Sequence, residues 1–105
     1  MKLPASIFAA GLTWRVRRRR KLMHSGEEVY GLIFPDKQEI HLADTACQTA
    51  DRMRKTLLHE AAHAMFLGFP QYYDENLMTI FEEKVDELIR LNPAIMEMYG
   101  YVRTQ

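Results

Sequence analysis

The chain of 105 residues contains a single cysteine, Cys47. No intrachain disulfide can form, so packing and polar contacts must hold the fold, and the compartment need not be oxidising. Without a second cysteine there is no thiolate metal site, and Cys47 reads as a small buried or half-buried apolar residue. No apolar run approaches the roughly 20 residues that a membrane-spanning helix needs, so no membrane partner is expected. Residues 1–10 hold a short apolar stretch, but Pro4 breaks it and arginines follow without a convincing cleavage site. It therefore reads as mature protein, with a cytoplasmic location expected. Acid is absent from the N-terminal segment. All fourteen carboxylates lie from Glu27 onward, whereas Lys2, Arg15, Arg17, Arg18, Arg19, Arg20 and Lys21 precede them. Such polarity suits a polyanion such as nucleic acid, or a solvated strand face and edge kept from aggregating, and the second reading is preferred. Proline and glycine are few and no linker or repeat is visible, so residues 1–105 form one domain that includes the basic segment 1–23.

Residues 4–12 fit a short helix or an extended arm, and residues 13–23 read as a strand with Trp14, Val16 and Leu22 as its apolar members. Residues 28–34 are rich in β-formers, 35–38 form a turn around Pro35, and 39–43 return as a partner strand, giving a hairpin. Gly31 inside the first of these strands marks a bulge or a close backbone approach. Asp44 or Thr45 can cap the next element. That element is a helix expected over residues 49–67, ended by Gly68 and Pro70, with Met53, Thr56, Leu57, Ala61, Ala64 and Met65 inward. A second spans about Glu75 to Leu91, ended by Asn92-Pro93. A short third runs to about Met98, with Pro93 in its first turn. Strands first and helices after predict an α+β fold, with helices on one face of a small antiparallel sheet.

The chemistry sits in His59-Glu60-Ala61-Ala62-His63. Two histidines four apart on a helix project from one face, a spacing at which both imidazoles reach one Zn²⁺. Glu60 is rotated by about 100° from His59, so it can serve the open metal position as general base towards a zinc-bound water. The pattern thus supplies two ligands and a base in five residues.

A catalytic zinc needs a third protein ligand. No histidine follows His63, which points to a carboxylate on the next helix. The candidates are Glu82, Glu83, Asp86 and Glu87. At 100° per residue Leu77, Ile80, Phe81, Val85, Leu88 and Ile89 form the expected buried stripe, with Glu82 beside it and Glu83 facing solvent. Glu82 is the expected ligand. Asp86, one turn on, either accepts a hydrogen bond from a zinc-bound histidine or pairs with Arg90 at helical spacing.

The motif helix followed by Glu82-x-x-Val85-Asp86 resembles the gluzincin metallopeptidases. More closely, residues 31–93 are similar to minimal zincins often encoded by phages, related to SprT-like and ImmA/IrrE-like metallopeptidases. The matching pieces are Tyr30-Gly31-Leu32, Glu39-Ile40-His41-Leu42, Thr56-Leu57-Leu58-His59-Glu60, Glu82-Glu83-Lys84-Val85 and Leu91-Asn92-Pro93. The resemblance implies a three-stranded sheet over the motif helix, one Zn²⁺ per chain, and a peptide or protein substrate added to an edge strand. Glu39, Ile40, His41 and Leu42, in the strand 39–43, are the candidates for that edge. Ala61-Ala62 is less bulky than the family's usual pair, and Val85 stands where Ala or Ser is common. The larger relatives' transition-state donor has no counterpart, leaving His41, Tyr72 or Tyr73 as possible oxyanion stabilisers. Two other functions stay open. One is a non-catalytic module stapled by zinc, against which Glu60 argues. The other is a DNA-associated, SprT-like protease docking through Arg15–Lys21.

Overall fold

The computed structural model describes residues 2–44 and 48–101. Cys47 and the alternative cap Thr45 lie outside the described residues. Two strands, β1 (Ser6–Ala9) and β2 (Leu12–Arg19), form a hairpin across Ala10-Gly11. Both turn residues have positive φ, 54° and 75°, the two-residue turn whose twist matches that of its strands. A second hairpin, β3 (Leu22–His24) with β4 (Glu27–Val29), repeats the device at Ser25-Gly26. Then β5 (Gly31–Phe34) and β6 (Glu39–Ala43) pair antiparallel across the turn at Pro35.

The main sheet has the order β1-β2-β6-β5, and β2 runs parallel to β6. The fold is therefore α+β, with a mixed four-stranded sheet where three antiparallel strands are expected. The difference has three sources. Residues 6–9 join as a fourth strand. The stretch expected as one strand over 13–23 divides after Arg19, because β2 pairs with β6 while β3 pairs with β4. The strand expected over 28–34 divides at Tyr30 into β4, paired with β3, and β5, paired with β6. Consequently β2 is not an edge. Its alternate arginines, Arg15, Arg17 and Arg19, share the sheet face of Glu39 and His41, opposite the core. Arg17 pairs with Glu39 there at 3.4 Å, and Arg18 lies 3.9 Å from Asp44.

Three helices complete the chain: α1 (Ala50–Met65), α2 (Glu75–Leu91) and α3 (Pro93–Met98). Thr49 caps α1 by accepting from the Arg52 amide, and Asp74 caps α2 by accepting from that of Asn76. The core lies between the sheet and α1, where Trp14, Ile40 and Leu42 meet Met53 and Ala64. Trp14 is fully buried and donates its indole N–H to the Ala9 carbonyl at 3.0 Å. Losing such a side chain costs about 3–5 kcal/mol.

Helix α2 packs on α1 rather than on the sheet, and it does so with an unexpected face. Met78, Glu82 and Asp86 are buried, whereas Leu77, Ile80, Leu88 and Ile89 are exposed, Ile80 by 56%. The apolar stripe expected from periodicity is thus turned largely outward. The reason is polar. Arg52, Arg54 and His59 on α1 draw Glu82 and Asp86 into the interface, and buried carboxylates need such partners. On α1 itself Met53, Thr56 and Ala64 are inward as expected, while Met65 is exposed and Glu60, Ala62 and His63 are buried instead.

Candidate metal centre

Helix α1 presents His59 and His63 one turn apart, with ring centroids separated by 5.1 Å. Both side chains are nearly buried, and each turns its Nε2 towards the first residue of α2. Glu75 Oε2 lies 2.8 Å from His59 Nε2, and Glu75 Oε1 lies 2.7 Å from His63 Nε2. The three residues offer one donor atom each within 4.8 Å of one another, close enough to hold a metal ion. The turn through Pro70–Tyr72 and the Asp74 cap place the start of α2 over the histidines. Two imidazole nitrogens with one carboxylate are donors that zinc and iron both accept.

Glu75 is a residue that sequence reasoning passed over. Its position in the first turn of a helix is already favoured for an acid by the helix dipole, so it carries no distinct signal of a ligand. Glu82, the expected ligand, lies outside this group of three. Its buried carboxylate faces the other nitrogen of His59, with Oε1 3.1 Å from Nδ1, and Oε2 accepts from Arg52 Nη1 at 3.1 Å. It therefore occupies the orienting position expected of Asp86. Asp86 instead accepts from Arg54 at 2.6 Å and from Arg90 at 3.3 Å and touches neither histidine. Its pairing with Arg90 is the second of its two expected roles, in a buried setting. The Arg54 bond, ahead of the contact with Arg90, holds the Asp86 carboxyl below the usual range.

Glu60 is 7% exposed, and its carboxylate has no hydrogen-bond or ion-pair partner among the described residues. Burial, with Glu75 and Glu82 nearby, pushes it up from 4.5 to about 7 against the opposing influence of His59. It lies beneath β5. A Cβ on Gly31 would come within 2.7 Å of Thr56 Cγ2, 3.1 Å of Glu60 Cγ and 3.3 Å of Glu60 Oε2. Of the two readings for Gly31, close backbone approach is the one found.

The remaining candidates separate. Tyr73 lines the cleft, its ring 5.6 Å from that of His63. Tyr72 packs instead against Phe66 and Phe69. His41 is on the sheet face away from α1, bonded to Glu39 at 2.8 Å and packed on Phe34, so it does not face the histidine pair. The strand of Glu39, Ile40, His41 and Leu42 is β6, hydrogen-bonded on both sides, and cannot accept a further strand. The open edge beside the metal-binding group is β5, because β1 and β2 occupy the far side of β6. Comparison with known proteins finds no match to this chain among family models, curated proteins or solved structures.

Proposed function

We propose that the protein is a zinc metallopeptidase whose ligands are His59, His63 and Glu75 and whose general base is Glu60. The observation that carries this reading is the buried carboxylate of Glu60, without a partner among the described residues, beside a three-donor group. An unsatisfied buried polar group is costly, and a purely structural metal staple has no need of it. The metal, when bound, polarises a carbonyl and brings the acidity of water towards neutrality.

The chain's own residues supply the rest. Glu82, itself held by Arg52, fixes the His59 ring with Nε2 towards Glu75, where a metal would be held. Glu60 takes a proton from the attacking water and passes it to the leaving amine. The exposed edge of β5 offers main-chain hydrogen bonds to an extended substrate. Peptide hydrolysis by this route would consume only water, with the metal supplied to His59, His63 and Glu75.

The test compares zinc content and hydrolysis of an unfolded protein such as casein for the wild type and Glu60→Gln. Stoichiometric zinc in both, with cleavage only by the wild type, is expected. A wild type that binds no zinc, or that selects iron, which two histidines and a carboxylate also accommodate, overturns the reading.

A further inference from the structure

The outward face of α2 carries a pattern of its own. Met78, Glu82 and Asp86 mark the side that packs on α1. At about 100° per residue, Leu77, Ile80, Lys84, Glu87 and Leu91 lie about 140–180° round from Glu82, at the opposite pole. Their spacing is three, four, three and four residues, the repeat that seats one helix along another. All five are exposed, Ile80 by 56% and Leu91 by 61%. Exposed apolar side chains rimmed by charge mark an interaction surface.

The charges decide what covers it. Let a second copy of α2 lie antiparallel, with the two-fold axis level with the peptide between Val85 and Asp86. Ile80 of each copy then meets Leu91 of the other, and Lys84 of each meets Glu87 of the other. The flanks agree with the same register. Phe81 comes beside Leu88 of the second copy on one side, and Glu83 comes beside its Arg90 on the other. The Glu83 and Arg90 side chains keep 46% and 52% exposure beside their own contacts with Lys55 and Asp86, so both can reach across. Other arrangements fail on charge. Sliding by three residues, so that Leu77 meets Leu91, sets Lys84 on Lys84. Parallel packing sets like on like at both charged positions, and opposed like charges exclude a pairing.

We propose that the protein forms a two-fold dimer through α2, antiparallel and in this register. The same patch serves both copies, so every contact occurs twice. Glu75 lies only about 20° round from Glu82, on the side turned to α1, so the seam leaves both metal-binding groups uncovered. The dimer requires neither a metal nor peptide hydrolysis. One helix per copy makes a small interface, which sets the association in the reversible range.

Sedimentation equilibrium of the full chain over about 1–500 µM tests this. A monomer–dimer equilibrium within that range is expected. Lys84→Glu and Glu87→Lys should each weaken it by about 10-fold or more, because each puts two like-charge contacts in the seam. The double variant restores opposite charges and should associate within about threefold of the wild type. Both positions are exposed, and far-UV circular dichroism checks that each variant keeps the fold. A chain that stays monomeric throughout overturns the proposal and leaves the stripe to a different protein. A dimer indifferent to both single variants, or a double variant no better than either single one, overturns the register and with it the proposal.

Discussion

Glu82 Oε1 stands 3.1 Å from His59 Nδ1, on the opposite side of the ring from Glu75, which stands 2.8 Å from Nε2. Two carboxylates thus grip one imidazole, and only one of them shares the open side with His63. The division predicts unequal losses. Glu75→Ala and His63→Ala should each abolish stoichiometric zinc binding. Glu82→Ala should retain zinc but weaken it by about 10–100-fold, the usual effect of losing a ligand's hydrogen-bond partner. Competition with a chromophoric chelator measures both. Complete loss in Glu82→Ala with retention in Glu75→Ala would exchange the two roles.

Glu60 makes one contribution to the pH dependence of the metal-free protein. Its carboxyl is raised from 4.5 to about 7 in the fold by burial. A raised value means the folded state holds its proton longer than the unfolded chain does. The stability concerned is fully present below about pH 4.5 and is lost as pH climbs through 7. The loss is on the order of 3 kcal/mol. Urea titrations of the metal-free wild type should show this decline, and those of Glu60→Gln should lack it.

Asp86 gives the opposite sign. The Arg54 bond, with Arg90 behind it, lowers its carboxyl below the ordinary 3.8. Its contribution is present above that value and disappears as pH falls through the lowered one. Asp86 is buried while the two arginines are 36% and 52% exposed. Asp86→Asn should therefore cost about 1–3 kcal/mol at neutral pH, less than a fully buried pair. The variant should also show a flatter acid limb. Zinc affinity should match the wild type, because neither histidine touches Asp86, and thermal melts beside a metal titration decide this.

Gly31→Ala forces a methyl to within 2.7 Å of Thr56 Cγ2 and 3.1 Å of Glu60 Cγ. Overpacking of this kind costs about 1–3 kcal/mol, and it moves β5 away from Glu60 or turns the carboxylate aside. Hydrolysis should fall by about 10-fold or more, since small misplacements at a reacting centre are expensive. Thr56→Ser removes the obstructing methyl and keeps the hydroxyl that donates to Gln48 Oε1. The double variant should recover much of the lost rate. No recovery would trace the effect to something other than this contact.

The parts of the molecule that could be read from the chain are those governed by local chemistry. Pro70, Asn92 and Pro93 mark helix ends within a few residues, and the five-residue motif sets both histidines and Glu60 on one helix. Gly31 announces its close contact because a glycine in a strand of β-formers needs a reason. Long-range partners were not legible in the same way. Nothing local says that Arg15 lies opposite Glu39 in a parallel ladder, or that β6 rather than β5 is enclosed. The rotation of α2 escaped for a related reason. Leu77, Ile80 and Leu88 obey the 3.6-residue period, but Arg52, Arg54 and His59 on another helix decide which face turns in. Glu75 stands two turns before Glu82 at the start of α2, and no local pattern marks it as a ligand.

The position of β6 between β2 and β5 also sets an order of assembly. The β1–β2 and β3–β4 hairpins close on neighbouring residues, an event of about 1–10 microseconds. Neither shares a ladder with β5, and only β6 bonds to both β2 and β5. A nascent chain that has released residues 1–34 can therefore form at most two separate hairpins, each marginal alone, and no continuous sheet. The strand that flanks Glu60 gains its anchorage to the rest of the molecule only when residues 39–43 insert.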